Sequence, residues 1–271
     1  MGSVAVAMSV YKADKLAFIK ECIKSLLDQT YKKITVFIMV DGPVSPTVES
    51  YLKELSEDSF FNITFNPTNL GLATRLNQII DKVQDVGTYA YLARMDADDV
   101  CEPERIQKQV EFFDDYPEVS VVGTDLIEID SDGNHMFYKS MEKTHELLVK
   151  NIIKKCPFNH PTVMFRNTIF EGNVRYKSWL QNTQDYYLWV DLVKSGFLFA
   201  NINQPLLKFR IDDDFHKRRG LKKAMNDLKS RVYAFQVLKN ISIRNCLHVI
   251  LLFVLRLSPA VIKKTAYKFL R

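Results

Sequence analysis

Arg94-Met95-Asp96-Ala97-Asp98-Asp99 sets three carboxylates directly behind the apolar run 89–93. A buried strand ordinarily ends in a neutral turn. Like charges this close repel, and at least one carboxyl titrates upward unless a cation neutralises the group. Hard divalent cations take oxygen ligands, and Mg²⁺ commonly combines one or two carboxylates with the phosphate oxygens of its substrate. The spacing therefore predicts a metal–diphosphate site. A competing reading makes these acids the first turn of a helix from Pro103, where the helix dipole favours negative charge. Capping by Asp99 or Glu102 accounts for one or two acids but not for Asp96 together with Asp98.

Such a cluster must be held by strands. Residues 4–10, 34–40, 60–65, 89–95 and 119–129 read as strands, and 15–29, 46–55, 70–86 and 103–113 carry helical spacing. Strands alternating with helices of this length predict an α/β fold with a mainly parallel sheet flanked by helices. Ligands of such sheets bind beyond the carboxyl ends of the strands. Tyr11, Asp41, Asn66 and the acids after Met95 stand at those ends. The second half is more irregular. Helices are expected over 144–153 and 185–193, and a strand pair over 197–202 and 206–211. Further helices are expected over 221–238, 247–257 and 259–270.

The 271 residues are 47% hydrophobic and 25% charged, with 9 Gly and 9 Pro, which excludes disorder, collagen and a small disulfide scaffold. Cys22, Cys101, Cys156 and Cys246 lie far apart and form no Cys-x-x-Cys pair, as suits a reducing compartment. No secretory signal and no membrane-spanning run is recognised, so a cytoplasmic protein is expected. The net charge of +5 conceals an asymmetry. Residues 215–271 hold 14 Lys and Arg against the single acid Asp227, leaving 23 basic and 31 acidic side chains before them.

Ser9-Val10-Tyr11, Gln29-Thr30-Tyr31, Val40-Asp41-Gly42, Asn69-Leu70-Gly71, Asp96-Ala97-Asp98-Asp99 and Gln184-Asp185-Tyr186-Tyr187-Leu188-Trp189 follow one another in the order of family 2 glycosyltransferases. The segment 157–164 and Ala200-Asn201-Ile202 are similar to bacterial members that build exopolysaccharide and O-antigen repeats. The resemblance implies a GT-A fold over residues 1–215, with 216–271 as a basic, amphipathic helical tail. It further implies an inverting transfer of a hexose from a nucleotide-diphosphate sugar, UDP-glucose or UDP-galactose first, with Mn²⁺ or Mg²⁺. The acceptor would be a saccharide or a lipid-diphosphate-linked sugar. On this pattern Asp41 hydrogen-bonds the base, Tyr11 lines its pocket, Asp96 approaches the ribose and Asp98 ligates the metal. Arg75, His216 and Arg219 are further donor-site candidates, and Asp185 is the catalytic base. The chain departs from the pattern in carrying one acid, Asp41, where two are common, and three acids, Asp212 to Asp214, ahead of His216.

Two other readings remain at this stage. Asp96-Ala97-Asp98 imitates the motif of haloacid-dehalogenase-like phosphatases, which carry it after the first strand rather than the fourth. A non-catalytic adaptor that kept the fold would be expected to lose Asp98 or Asp185. Arg94 is a candidate to neutralise the acids, His160 is expected to be a satisfied structural residue, and Asp191 a solvated one. The basic tail predicts peripheral association with the inner face of the cytoplasmic membrane. No nucleic-acid-binding motif accompanies it.

Overall fold

The computed structural model describes residues 2–180, 182–211 and 221–258. β1 (Ser3–Tyr11), β2 (Ile34–Asp41), β3 (Phe61–Asn66) and β4 (Tyr89–Asp96) pair in parallel in the order β3-β2-β1-β4. The near-continuous apolar runs of β1, β2 and β4 follow from burial on both faces, whereas β3 at the sheet edge alternates apolar and polar residues. Even-numbered residues of β1 and β2 pack on α1 (Leu16–Leu27), α2 (Pro46–Leu55) and α4 (Arg105–Asp115). Odd-numbered residues meet α3 (Leu72–Val86) and the layer of α5 (His145–Asn151) and α6 (Gln184–Lys194).

Beyond β4 the sheet becomes mixed. It continues through β8 (Met164–Arg166), β6 (Val119–Ile129), β9 (Leu198–Arg210) and β5 (Val100–Cys101), and β7 (His135–Lys139) pairs with β6. The expected strand pair after residue 197 is a single strand, β9. Its register against β6 slips between Ile202 and Pro205. Pro205 has no N–H to give the ladder and falls at the slip, where none is required. Asn203 fills the irregularity by donating to the Met141 carbonyl and to Asp125.

Of the basic C-terminal segment the structure describes residues 221–258, and these pack on the rest of the fold. α7 (Leu221–Leu238) packs along α6, burying Ala224, Ser230, Arg231 and Ala234. The Arg231 guanidinium lies 3.9 Å from the Tyr186 ring centroid and donates to the Ile152 carbonyl. α8 (Ile243–Leu257) folds back on α7. Asp191, expected in solvent, instead binds Lys177 at 2.8 Å and accepts from the Tyr233 hydroxyl, tying α6 to α7. The helix expected over 259–270 lies outside the described residues.

Candidate active site

The parallel register sets Tyr11 beside Asp41, Asp41 beside Asn66 and Ser9 beside Asp96, so the expected donor residues share one edge of the sheet. β2 stops because Gly42 adopts φ +84°, and a Cβ there would lie 2.9 Å from the Asn69 amide nitrogen. That close approach presses Asn69-Leu70-Gly71 against Asp41, which is 3% exposed. Its Oδ1 accepts from the Leu70 amide at 2.8 Å and from Arg75 Nε at 2.7 Å, and its Oδ2 accepts from the Gly71 amide at 2.9 Å. A carboxylate offers about four lone-pair positions, so Asp41 keeps acceptor capacity for a ligand N–H. Arg75, expected at the donor, has its partners inside the protein. Besides Asp41 it donates to Gln78 at 2.8 Å and to the Thr68 carbonyl. It orients Asp41. The Tyr11 ring stands exposed at the same edge.

The acidic turn follows β4. Arg94, buried beneath it, pairs with Asp96 and donates to the Met95 carbonyl, as a neutralising cation should. Asp98 is pushed up to about 6, first by burial and then by the Asp96 charge, against the opposing pull of its own amide, Arg94 and Arg210. Burial, Asp96 and Asp98 hold the fully buried Asp99 well above the ordinary carboxylate range. Its Oδ1 accepts from the Arg210 amide at 2.9 Å.

Two residues of this site were not singled out from the sequence. Asp14, in the loop after β1, accepts from the Tyr11 amide at 2.9 Å, and burial with the charges of Asp98 and Asp96 pushes it up to about 7. Arg210 closes β9 over the turn. It donates to the carbonyls of Asp98 (3.0 Å), Asp130 (3.2 Å) and Ser131 (3.0 Å), pairs with Glu21, and lies 4.2 Å from the Phe18 ring centroid. Asp14 stands three residues past a strand end, which is a usable signal. Arg210 is 111 residues from Asp99, and the pairing of β9 with β5 and β6 brings them together. Gln29 has a scaffold role: it donates to the Glu102 carbonyl and accepts from the Ile106 amide, anchoring the segment that leaves the acidic turn.

Among the described residues no three of His, Cys, Asp and Glu converge to cage a cation by themselves. A cation held by one or two carboxylates and completed by phosphate oxygens needs no such cage. The oxygen donors of Asp96 and Asp98, and the repulsion that raises Asp98, fit a hard divalent ion.

Asp185 opens α6, where its own amide and that of Tyr186 support the charged form while burial raises its pKa overall. Arg231 and Lys223 of α7 are the neighbouring cations. Burial first, then the charges of Asp185 and Asp96, raise the Tyr176 hydroxyl above its ordinary value, against the pull of Arg94. Tyr176 bonds His160 Nε2 at 2.9 Å, and burial keeps the imidazole neutral, so His160 is the satisfied residue expected. His216 and Arg219 lie outside the described residues.

The sequence pattern of glycosyl transferase family 2 matches residues 5–172. The chain belongs to this family. The amylovoran biosynthesis glycosyltransferase AmsE of Erwinia amylovora is 30% identical over 97% of each chain. An Escherichia coli UDP-Gal:alpha-D-GlcNAc-diphosphoundecaprenol beta-1,3-galactosyltransferase is 26% identical, covering 97% of this chain and 94% of its own. Among solved structures, S. aureus TarS residues 1–349 in complex with UDP superposes with a TM-score of 0.67 at 15% identity, covering 91% of this chain and 69% of that one. The fold of this glycosyltransferase is thus GT-A, an α/β sheet flanked by helices. The phosphatase and adaptor readings receive no support.

Proposed function

We propose that this glycosyltransferase moves a hexose from a UDP-hexose to a saccharide or lipid-diphosphate-linked acceptor, with inversion, in bacterial surface polysaccharide synthesis. The observation that supports the reading is the shared sheet edge, where Tyr11 lies beside Asp41 and Ser9 beside Asp96 at the start of the acidic turn. The names of the E. coli and Erwinia relatives support the donor, acceptor and polymer class.

In this reading Tyr11 flanks the base, the free acceptor capacity of Asp41 receives a base N–H, and Asp96 meets the ribose. Asp98 would hold Mn²⁺ or Mg²⁺, which would supply Lewis-acid stabilisation of the departing diphosphate. His216 and Arg219 are proposed to contact the same diphosphate. Inversion requires attack from the face opposite the leaving group and a base on that face. Asp185 takes the proton of the attacking hydroxyl, and the burial that raises its pKa makes its charged form a stronger proton acceptor than an exposed carboxylate. The acceptor reading places the enzyme at the inner face of the cytoplasmic membrane. No described helix is long and apolar enough to cross a membrane.

The test is a panel of UDP-sugars with Mn²⁺ and a GlcNAc-diphosphate-lipid analogue, read by mass and by NMR of the new linkage. A β-linked hexose from an α-linked donor is expected. A retained configuration, or full turnover in EDTA, refutes the mechanism.

A further inference from the structure

α8 presents two unlike faces. Towards α7 it buries Asn245 and Val249, and Leu252, Phe253 and Arg256 line the seam with Ala224, Asp227, Leu228 and Arg231. Arg256 pairs with Asp227 at 2.6 Å. On the other side Ile243 (83% exposed), Leu247 (55%), Ile250 (58%), Leu251 (67%), Val254 (58%) and Leu257 (47%) stand in solvent. At 100° per residue these six fall within an arc of about 120°, an unbroken apolar stripe along one helix.

We propose that this stripe lies in the surface of an anionic lipid bilayer, with α8 parallel to the membrane plane. Scattered exposed apolar residues are ordinary, but six aligned on one helix face call for an occupant. Charge selects it. From Leu228 to the last residue the sequence holds nine Lys and Arg and no acid. Arg231 and Arg256 are used internally, on Tyr186 and Asp227. Lys239, Arg244, Lys263, Lys264, Lys268 and Arg271 remain as cations with no acidic residue near them in sequence.

An anionic headgroup layer matches this arrangement, since each Lys or Arg near it adds attraction while the stripe enters the acyl boundary. A second copy matches less well. A 15-residue helix is about 22 Å long. Pairing two such stripes would bury well under the roughly 1,200 Å² of a stable interface, and would bring two strongly basic segments together. The helix is also shorter than the ~20 residues needed to span a bilayer, so it lies on the membrane rather than through it.

The inference rests on the lipid-linked acceptor reading for its purpose, and it is tested without that acceptor. The full chain is sedimented with vesicles of phosphatidylcholine alone or with a quarter phosphatidylglycerol, at 0.1 and 0.5 M NaCl. The comparison is the triple variant Ile250→Gln, Leu251→Gln, Val254→Gln. All three side chains are exposed, so melting temperature and turnover on a soluble acceptor should match the wild type.

Wild type should partition at least tenfold more onto the anionic vesicles, lose most of that in high salt, and lose at least tenfold in the variant. Equal binding by variant and wild type overturns the proposal, as does binding indifferent to lipid charge. A wild-type dimer that the variant converts to monomer, without vesicle binding, assigns the stripe to a second copy and also overturns it. If vesicles bind as expected while no lipid-linked acceptor is glycosylated, the acceptor reading fails and the surface assignment stands.

Discussion

Replacing Asp98 by Asn should stabilise the metal-free protein while abolishing transfer. The Asp98 carboxyl titrates near 3.8 when exposed and near 6 in the fold, because burial and Asp96 oppose its charge. A folded-state pKa above the unfolded one means that the native state binds the extra proton. Stability is therefore intact below about pH 4, falls as pH rises from about 4 to about 6, and stays reduced above. The shift corresponds to a penalty of up to about 3 kcal/mol at pH 7.5. An amide of the same shape carries no charge and escapes it. At roughly 2–4 °C per kcal/mol for a chain of this size class, Asp98→Asn should melt up to about 6–12 °C higher in EDTA at pH 7.5. The gain should shrink towards zero as pH approaches 4. Mn²⁺ with UDP should raise the melting temperature of wild type and leave the variant unmoved. Differential scanning calorimetry with and without EDTA reads all three effects. A variant that melts lower than wild type at pH 7.5 without metal refutes the electrostatic argument. An equal response to Mn²⁺–UDP refutes the metal assignment.

Asp185→Asn keeps size and hydrogen-bonding shape but accepts no proton, so turnover should fall by about 10² or more with donor affinity barely changed. In wild type the acid limb of turnover should lie above the ordinary carboxylate range, since burial raises Asp185 and only its charged form is a base. The Asn variant should lose that limb. Arg75→Met leaves Asp41 buried with two backbone donors and no cation, and should cost about 3 kcal/mol or more in urea unfolding. Adding Asp41→Asn should recover part of the loss, and a fully additive double mutant would show that the pair is not coupled.

The regular elements that carry the site were legible because their signals are local. The apolar runs of β1, β2 and β4 are buried on both faces, and the spacing of Ile19, Ile23 and Leu26 lays α1 on the sheet. What escaped was set by partners. β5 is two residues long and β8 three, too short for any period to register, and each exists through its pairing with β9, β4 or β6. Asn203-Gln204-Pro205 reads locally as a turn. The long edge of β6 overrides it and keeps β9 one strand.

The site divides along the same line. Carboxylates at strand ends are visible because strands end where apolar runs end, and Asp41, Asp96 and Asp98 follow from that alone. Cations are harder to place, since a guanidinium at the end of a long stem finds its partner across the fold. Arg75 and Arg94 were both candidates for the acidic turn. The structure sends Arg75 to Asp41 and keeps Arg94 under Asp96. Arg210 went unassigned although it binds the backbone of the turn itself. Its position depends on β9 running unbroken past the β6 slip, and reading that segment as two strands hid its destination. The negative charge of this site is therefore written in neighbouring residues, whereas its compensation is written in the topology.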